Sequence, residues 1–227
     1  MCGIIGIASN KPVSVNIVNA LKKLEYRGYD SAGIATLKSN FINEKKCSGR
    51  VEELEKILFK TPSDGNIGIG HVRWATHGIP NVINAHPHSS ESVSVVHNGI
   101  IENSDELKRE LESKGLKFKS QTDTEVITLL ITEELRNNKP LESVFKTLQK
   151  LKGSFALGII FKNFSDIIIG ARRGSPLAVG YSNDENYLGS DSYALKSMTN
   201  KISYLDDGEL CVLSSRSINF YDANKKK

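Results

Sequence analysis

Short apolar runs at strand spacing open and close the chain, and stripes at helical spacing fill its middle. Residues 3–8, inside Met1-Cys2-Gly3-Ile4-Ile5-Gly6-Ile7-Ala8-Ser9, are apolar and β-branched, which predicts a buried first strand. Ile17, Leu21 and Leu24 recur at helical spacing with Lys22 and Lys23 turned outward, predicting an amphipathic helix over 13–26. Strands are predicted over 32–37, 41–47, 67–76 and 93–97, with a small helix over 51–59. Asn103 and Glu106 open a helix whose buried stripe is Leu107 and Leu111 and whose end is Gly115. Thr122-Asp123-Thr124-Glu125 reads as a capping box that starts a long helix through Ile127, Ile131 and Leu135. After a helix over 141–151 the period returns to two, with strands over 155–161, 167–171, 177–179 and 187–188. A short helix over 193–198 precedes a closing pair, 202–205 and 209–213, with Asp206-Asp207-Gly208 as its hairpin turn.

About ten strands and five helices, in the order strands, helices, strands, predict an α+β fold of two antiparallel sheets covered by helices. No linker rich in Pro, Gly or Ser interrupts the 227 residues, so 1–227 reads as one domain. The net charge of +4, from 30 basic and 26 acidic residues, is well mixed. Outside the terminal Lys225, Lys226 and Lys227 there is no basic stripe, which argues against nucleic acid as a main partner. Cys2, Cys47 and Cys211 are too far apart for a Cys-x-x-Cys site and too few for a disulfide framework, so a reducing cytoplasm fits. No positive flank precedes the first apolar run and no run reaches about 18 residues, so neither a signal peptide nor a membrane partner is expected.

The chemistry starts at Cys2. Removal of Met1 would leave a thiol and a free α-amine on one residue, and the unperturbed pKa values of about 8.5 and about 7.7–8.0 let the amine help deprotonate the thiol near neutral pH. That is the self-contained nucleophile and base of N-terminal-nucleophile hydrolases. Beside it stands a plainer reading, Cys2 as a small hydrophobe at the start of a strand. Downstream, Tyr26-Arg27-Gly28-Tyr29-Asp30 admits two readings, a helix end with a surface turn or an Arg27 that folds back toward Cys2.

His71-Val72-Arg73-Trp74-Ala75-Thr76-His77-Gly78 and Asn84-Ala85-His86-Pro87-His88 collect the single tryptophan and four of the five histidines, a mixture that core packing does not need. Arg73 offers a fork of donors for a carboxylate. His86 and His88 lack the acidic or further ligands of a metal site, so no metal and no cofactor are expected. A histidine base for Cys2 is unnecessary where the terminal amine is available. Asn98-Gly99 is either a turn or an oxyanion hole, in which an amide side chain and a backbone N–H converge. Asp123, in a first helical turn, is favoured there by the helix dipole and could also receive an ammonium group. Gly78 and Pro80 suggest that the loop 77–80 closes over a bound ligand.

As a set, Met1-Cys2-Gly3-Ile4, Glu25 to Gly33, His71 to Gly78, Asn84 to His88 and His97-Asn98-Gly99-Ile100-Ile101-Glu102-Asn103 resemble the glutaminase domain of the glucosamine-6-phosphate synthase family of glutamine amidotransferases, over essentially the whole chain. The resemblance implies the four-layer α-β-β-α sandwich of N-terminal nucleophile hydrolases and hydrolysis of L-glutamine to glutamate and ammonia through a thioester on Cys2. It implies Asn98 and Gly99 as oxyanion donors, Arg27 as a support for Cys2, and Trp74 near the exit for ammonia. Arg73, with Thr76 and His77, would take the α-carboxylate of glutamine, and Asp123 its α-ammonium. The family's sugar-isomerase half, which uses the ammonia on fructose-6-phosphate, has no counterpart in these residues. It would be supplied by a longer chain or by a separate subunit, with a homodimer among the assemblies the resemblance allows.

Overall fold

The computed structural model describes residues 2–75 and 78–223. Among them, one antiparallel sheet holds β1 (Gly3–Ser9), β2 (Ser31–Lys38), β3 (Phe41–Ser48), β4 (Ile67–Arg73), β9 (Ala178–Tyr181), β10 (Glu185–Gly189) and β11 (Lys201–Tyr204). A second holds β5 (His88–Ser89), β6 (Val93–Ile101), β7 (Gly153–Phe161), β8 (Phe164–Arg173), β12 (Leu210–Leu213) and β13 (Ile218–Tyr221). In space the orders are β11-β9-β10-β1-β4-β2-β3 and β13-β12-β8-β7-β6-β5. The first predicted strand is therefore central, hydrogen-bonded to β10 on one side and β4 on the other.

Three apolar layers explain why the sheets stack. Ile5, Ile7, Ala32, Ile34 and Val72 face α1 (Ser14–Leu24), α2 (Val51–Lys60) and α6 (Ser192–Leu195). Val93, Val95, Leu157 and Ile159 face α3 (Ser104–Ser113), α4 (Asp123–Glu134) and α5 (Pro140–Lys150). Between the sheets lie Ile4, Ile67, Ile69, Val96, Ala156 and Ile160. Each isoleucine in this middle layer is essentially unexposed, worth about 1.5–3 kcal/mol relative to exposure. The result is an α-β-β-α sandwich.

Strand periodicity then aims the polar residues. Side chains alternate across a strand, so His71 and Arg73 follow Ile67 and Ile69 into the middle layer, and Asn98 follows Val96. His97 instead follows Val93 and Val95 toward α4. The middle layer is thus apolar over most of its length and polar at one end, where β1 begins and β4 ends.

Several elements differ from expectation. The closing pair is not a hairpin: β11 pairs with β9 in one sheet, while β12 pairs with β8 and β13 in the other. Asp206-Asp207-Gly208 does form a turn, with Glu209 N–H on the Asp206 carbonyl at 3.1 Å, but the turn carries the chain between sheets. A two-residue period is the same whichever sheet supplies the partner. The capping box is replaced too, because the Glu125 carboxylate takes the N–H groups of Lys119 (2.8 Å) and Ser120 (2.6 Å) rather than that of Thr122. The first helix ends at Leu24 and tightens into a 3₁₀ turn, Glu25–Arg27. None of the described helices is long and apolar enough to cross a membrane.

Candidate active site

Cys2 sits just before β1, half-buried, against the backbone that leaves β4. The Trp74 N–H donates to Sγ at 3.3 Å, and the thiol faces the Trp74 carbonyl at 3.5 Å. Burial pushes the thiol pKa up, and the Trp74 contact and the nearby Arg73 charge only partly oppose this. A Cβ at Gly28 would lie 2.5 Å from the Arg73 carbonyl carbon and 2.7 Å from Trp74 N, so only glycine lets the 3₁₀ turn approach this backbone. Asp30, two residues on, binds the Ala75 N–H and places its own N–H on the Arg73 carbonyl at 3.2 Å. The motif around Arg27 therefore shapes the strand end that touches the thiol.

Arg27 itself points elsewhere. Its guanidinium meets Asp191 at 2.8 Å and Tyr26 Oη at 3.2 Å. Asp191 also binds Tyr26 Oη and, at 2.8 Å, the Tyr193 N–H at the start of α6. The preceding Ser190 holds Ile4 twice, its Oγ on the Ile4 N–H at 3.0 Å and its N–H on the Ile4 carbonyl at 3.1 Å. Among the described residues, the Arg27 side chain connects to Cys2 through this segment and β1.

From the second sheet, Asn98 donates Nδ2–H to the Cys2 carbonyl at 3.0 Å, and its Oδ1 lies 3.0 Å from His71 Nε2. Gly99 follows with φ +131, and a Cβ there would stand 2.0 Å from the Ser154 carbonyl oxygen. Asp123 opens α4 with Oδ2 on the Ile101 N–H at 2.8 Å and Oδ1 3.8 Å from His97 Nδ1. Arg73, 3% exposed, reaches the Gly78 carbonyl at 3.3 Å. Cys2, Arg73, Trp74, Gly99 and Asp123, together with His86, His97, Thr122 and Thr124, line one cleft of ≈ 20 Å³. Trp74, half-exposed, stands at the rim edge-on to Tyr29 with ring centroids 5.8 Å apart. A larger hollow of ≈ 330 Å³ between α1 and α2, lined by Val15, Val18, Leu58 and Phe59, shares no residue with this cleft.

The histidines pack on one another. The His71 and His86 rings stack at 4.2 Å, and His88 meets His86 edge-on at 4.8 Å. Their bonded nitrogens go to Asn98, to Thr124 (2.7 Å from His86) and to Thr122 (2.9 Å from His88). Burial pushes the pKa values of His71 and His88 down to about 3 and that of His86 well below the usual value, so all three are neutral at pH 7.

Of the residues singled out from sequence, the cleft gathers Cys2, Arg73, Trp74, Gly99 and Asp123, with Asn98 bonded to Cys2. Arg27 stands outside it, and Thr76 and His77 lie outside the described residues. Sequence reasoning missed Asp30, His71, Thr124 and Asp191. Asp30 and His71 lie inside motifs already noted, and Thr124 lies inside the presumed capping box; Asp191, alone after β10, carries no local signal.

A family model described as a glutamine amidotransferase domain matches residues 71–197. Glutamine--fructose-6-phosphate aminotransferase [isomerizing] of Bradyrhizobium diazoefficiens is 52% identical over 223 residues, covering 98% of this chain and 37% of that protein. The protein of the same name from Zymomonas mobilis is 50% identical over 98% of this chain and 37% of its own length. The chain thus spans a little over a third of these relatives. Among solved structures, glutamine phosphoribosylpyrophosphate amidotransferase from B. subtilis, complexed with ADP and GMP, superposes with a TM-score of 0.85 at 26% identity, over 98% of this chain and 49% of that one. A glutamine aminotransferase class-II domain protein from Silicibacter pomeroyi shares the fold, with a TM-score of 0.69 at 12% identity over 97% of this chain and 99% of that one.

Proposed function

We propose, since the chain belongs to the glutamine amidotransferase domain family, that residues 1–227 form one glutaminase domain that hydrolyses the side-chain amide of L-glutamine from Cys2. Met1 is first removed. The Cys2 thiolate adds to the amide carbon, and the α-amine of Cys2 takes the thiol proton. Asn98 Nδ2–H and Gly99 N–H hold the oxyanion, a contribution of about 3–4 kcal/mol per donor. The tetrahedral adduct collapses to a thioester as the amine passes its proton to the leaving nitrogen and ammonia departs. Water then attacks the thioester, releases glutamate and restores the thiol. Arg73, with Thr76 and His77, takes the α-carboxylate of glutamine and Asp123 its α-ammonium, while Arg27 steadies Cys2 from behind β1 and Trp74 flanks the ammonia exit.

The observation that carries this reading is the convergence of Cys2, Arg73, Gly99 and Asp123, far apart in sequence, on one cleft. A thiol, a guanidinium fork, a backbone donor and a carboxylate match the electrophile, carboxylate, oxyanion and ammonium of bound glutamine in turn. The names of the relatives support a destination for the ammonia: a sugar-isomerase half, on the same polypeptide or a separate subunit, that turns fructose-6-phosphate into glucosamine-6-phosphate. A cytoplasmic setting and a homodimer belong to the same proposal.

Intact mass before and after treatment with 6-diazo-5-oxonorleucine, with the adduct mapped by peptide sequencing, tests the reading. A chain short of one methionine and modified only at Cys2 is expected. A chain lacking Met1 that hydrolyses no glutamine and takes up no reagent at Cys2 would refute it.

A further inference from the structure

The fold puts one buried histidine, His71, within hydrogen-bond reach of the Asn98 amide. Two oxygen positions lie 3.0 Å from His71 Nε2, the His97 backbone carbonyl and Asn98 Oδ1. A backbone carbonyl can only accept, so Nε2 carries the ring proton. An N–H there attracts the amide oxygen of Asn98 and repels its NH₂. At the other end, the amide nitrogen lies 3.0 Å from the Cys2 carbonyl, which also can only accept. Both ends require the same orientation. A flipped amide would set two oxygens against each other at Cys2 and two N–H groups against each other at His71.

We propose that His71 is a positioning residue for the oxyanion donor, its Nε2–H locking the Asn98 amide with Nδ2 toward Cys2. The proposal rests on the glutaminase reading above and adds to it a group that never touches glutamine. His71 is well placed for this role. It is fully buried, it lies on β4 opposite Ile4 of β1 and Gly33 of β2, and its ring is clamped by the His86 stack at 4.2 Å. Its Nδ1 has no hydrogen-bond partner among the described residues, so nothing there competes for the proton. Burial keeps the ring neutral, its pKa pushed down to about 3, so the lock does not titrate in the working range. A polar ring following Ile67 and Ile69 into an apolar layer costs stability unless bonded, and its bonds go to Asn98 and the residue before it.

The test compares His71→Gln, which keeps an N–H near the position of Nε2, with His71→Met, which keeps the bulk and lacks the donor. Three quantities are read: kcat and KM for glutamine, and the rate at which iodoacetamide alkylates Cys2, a reaction that forms no oxyanion. Expected for His71→Met is a kcat lower by about 10–100-fold, somewhat less than the loss of a whole oxyanion donor, with KM and alkylation changed by less than about threefold. His71→Gln should recover most of kcat. A His71→Met enzyme with parental kcat overturns the proposal, as does a His71→Gln enzyme as slow as His71→Met, or loss of alkylation alongside turnover in both. Should neither variant fold, ring-nitrogen chemical shifts of the unsubstituted protein decide: a proton on Nε2 of His71 supports the lock and one on Nδ1 overturns it. An unsubstituted, Met1-free chain that neither turns over glutamine nor reacts with 6-diazo-5-oxonorleucine refutes the glutaminase reading itself, and the ring-nitrogen measurement then still judges the His71–Asn98 geometry.

Discussion

Arg27 and Asp191, 164 residues apart in sequence, meet at 2.8 Å behind the first strand. The pair is largely buried, with side chains 13% and 19% exposed, and it closes a chain of contacts from the 3₁₀ turn through Ser190 to Ile4. The Arg27 side chain thereby braces the segment that is bonded to β1, the strand that follows Cys2.

Replacing Asp191 by Asn keeps an acceptor for the Tyr193 N–H and removes the charge opposite Arg27. Exposed pairs contribute about 0–1 kcal/mol and breaking a buried one costs about 3–5 kcal/mol, so an intermediate loss of about 1–2 kcal/mol is expected at pH 7. Burial pushes the Asp191 carboxyl up, but the donors Tyr26, Tyr193 N–H and Arg27 outweigh it and hold the pKa below the usual value. A lowered folded-state pKa gives stability that is present above the unfolded value, about 3.9, and lost as pH falls through the folded value. Urea unfolding of parent and variant should therefore differ at pH 7 and converge below about pH 4. A constant difference down to pH 3 would mean that the charge is not what is lost.

Much of this molecule is legible in its sequence because period and position coincide. Ile4, Ile5 and Ile7 announce a buried strand, and the cleft gathers Arg73 and Trp74 from a mixture that no core requires, together with Cys2, Gly99 and Asp123 from segments that also read as a strand start, a turn and a helix start. What escapes is long-range choice. Nothing local in Lys201–Tyr204 or Leu210–Leu213 says that one strand joins β9 and the other β8. Glu125 has the spacing of a capping box, yet the turn at Lys119 and Ser120 offers its carboxylate nearer donors. Asp191 gains its role only when β10 is brought beside β1 and the chain beyond it meets Arg27.

The buried histidines make the fold acid-sensitive. His71, His86 and His88 stay neutral when folded, with values of about 3 for His71 and His88, but take up protons below about pH 6.5 when unfolded. The unfolded state then binds more protons, so stability falls as pH falls, by up to about 1.4 kcal/mol per histidine for each pH unit between about 6 and the folded value. Chemical denaturation at pH 7, 6 and 5 should show a steep decline, and His88→Gln should lessen the slope by the share of one proton. A flat profile between pH 7 and 5 would show that these rings are solvated and protonated in the folded protein.

Asp123 separates charge from structure. Its Oδ2 holds the Ile101 N–H at 2.8 Å, a bond that Asn can also accept, so Asp123→Asn should leave the melting temperature nearly unchanged. Loss of a charged partner for the ammonium group removes about 1.5–3 kcal/mol of binding, which raises KM for glutamine by about 10–150-fold. Initial-rate kinetics check this. A KM within threefold of the parent would assign the ammonium to another group.

Gly99 is the position least able to change. A Cβ there would stand 2.0 Å from the Ser154 carbonyl oxygen, and φ is +131, so a side chain meets both a clash and an unfavourable backbone conformation. Gly99 pairs with Phe155 inside the β6–β7 ladder, with Ile100 and Ile101 still paired beyond it, so backing away from the clash would break the pairs at that end. Gly99→Ala is expected to cost about 3–5 kcal/mol, the sum of backbone strain and overpacking. Any folded fraction should lose kcat, because relief of the clash moves the Gly99 N–H away from the cleft, and loss of one such donor slows reaction by about 10²–10³-fold. Urea midpoints and single-turnover rates on the same sample separate the two effects. A stable Gly99→Ala protein with parental kcat would remove Gly99 from the oxyanion site.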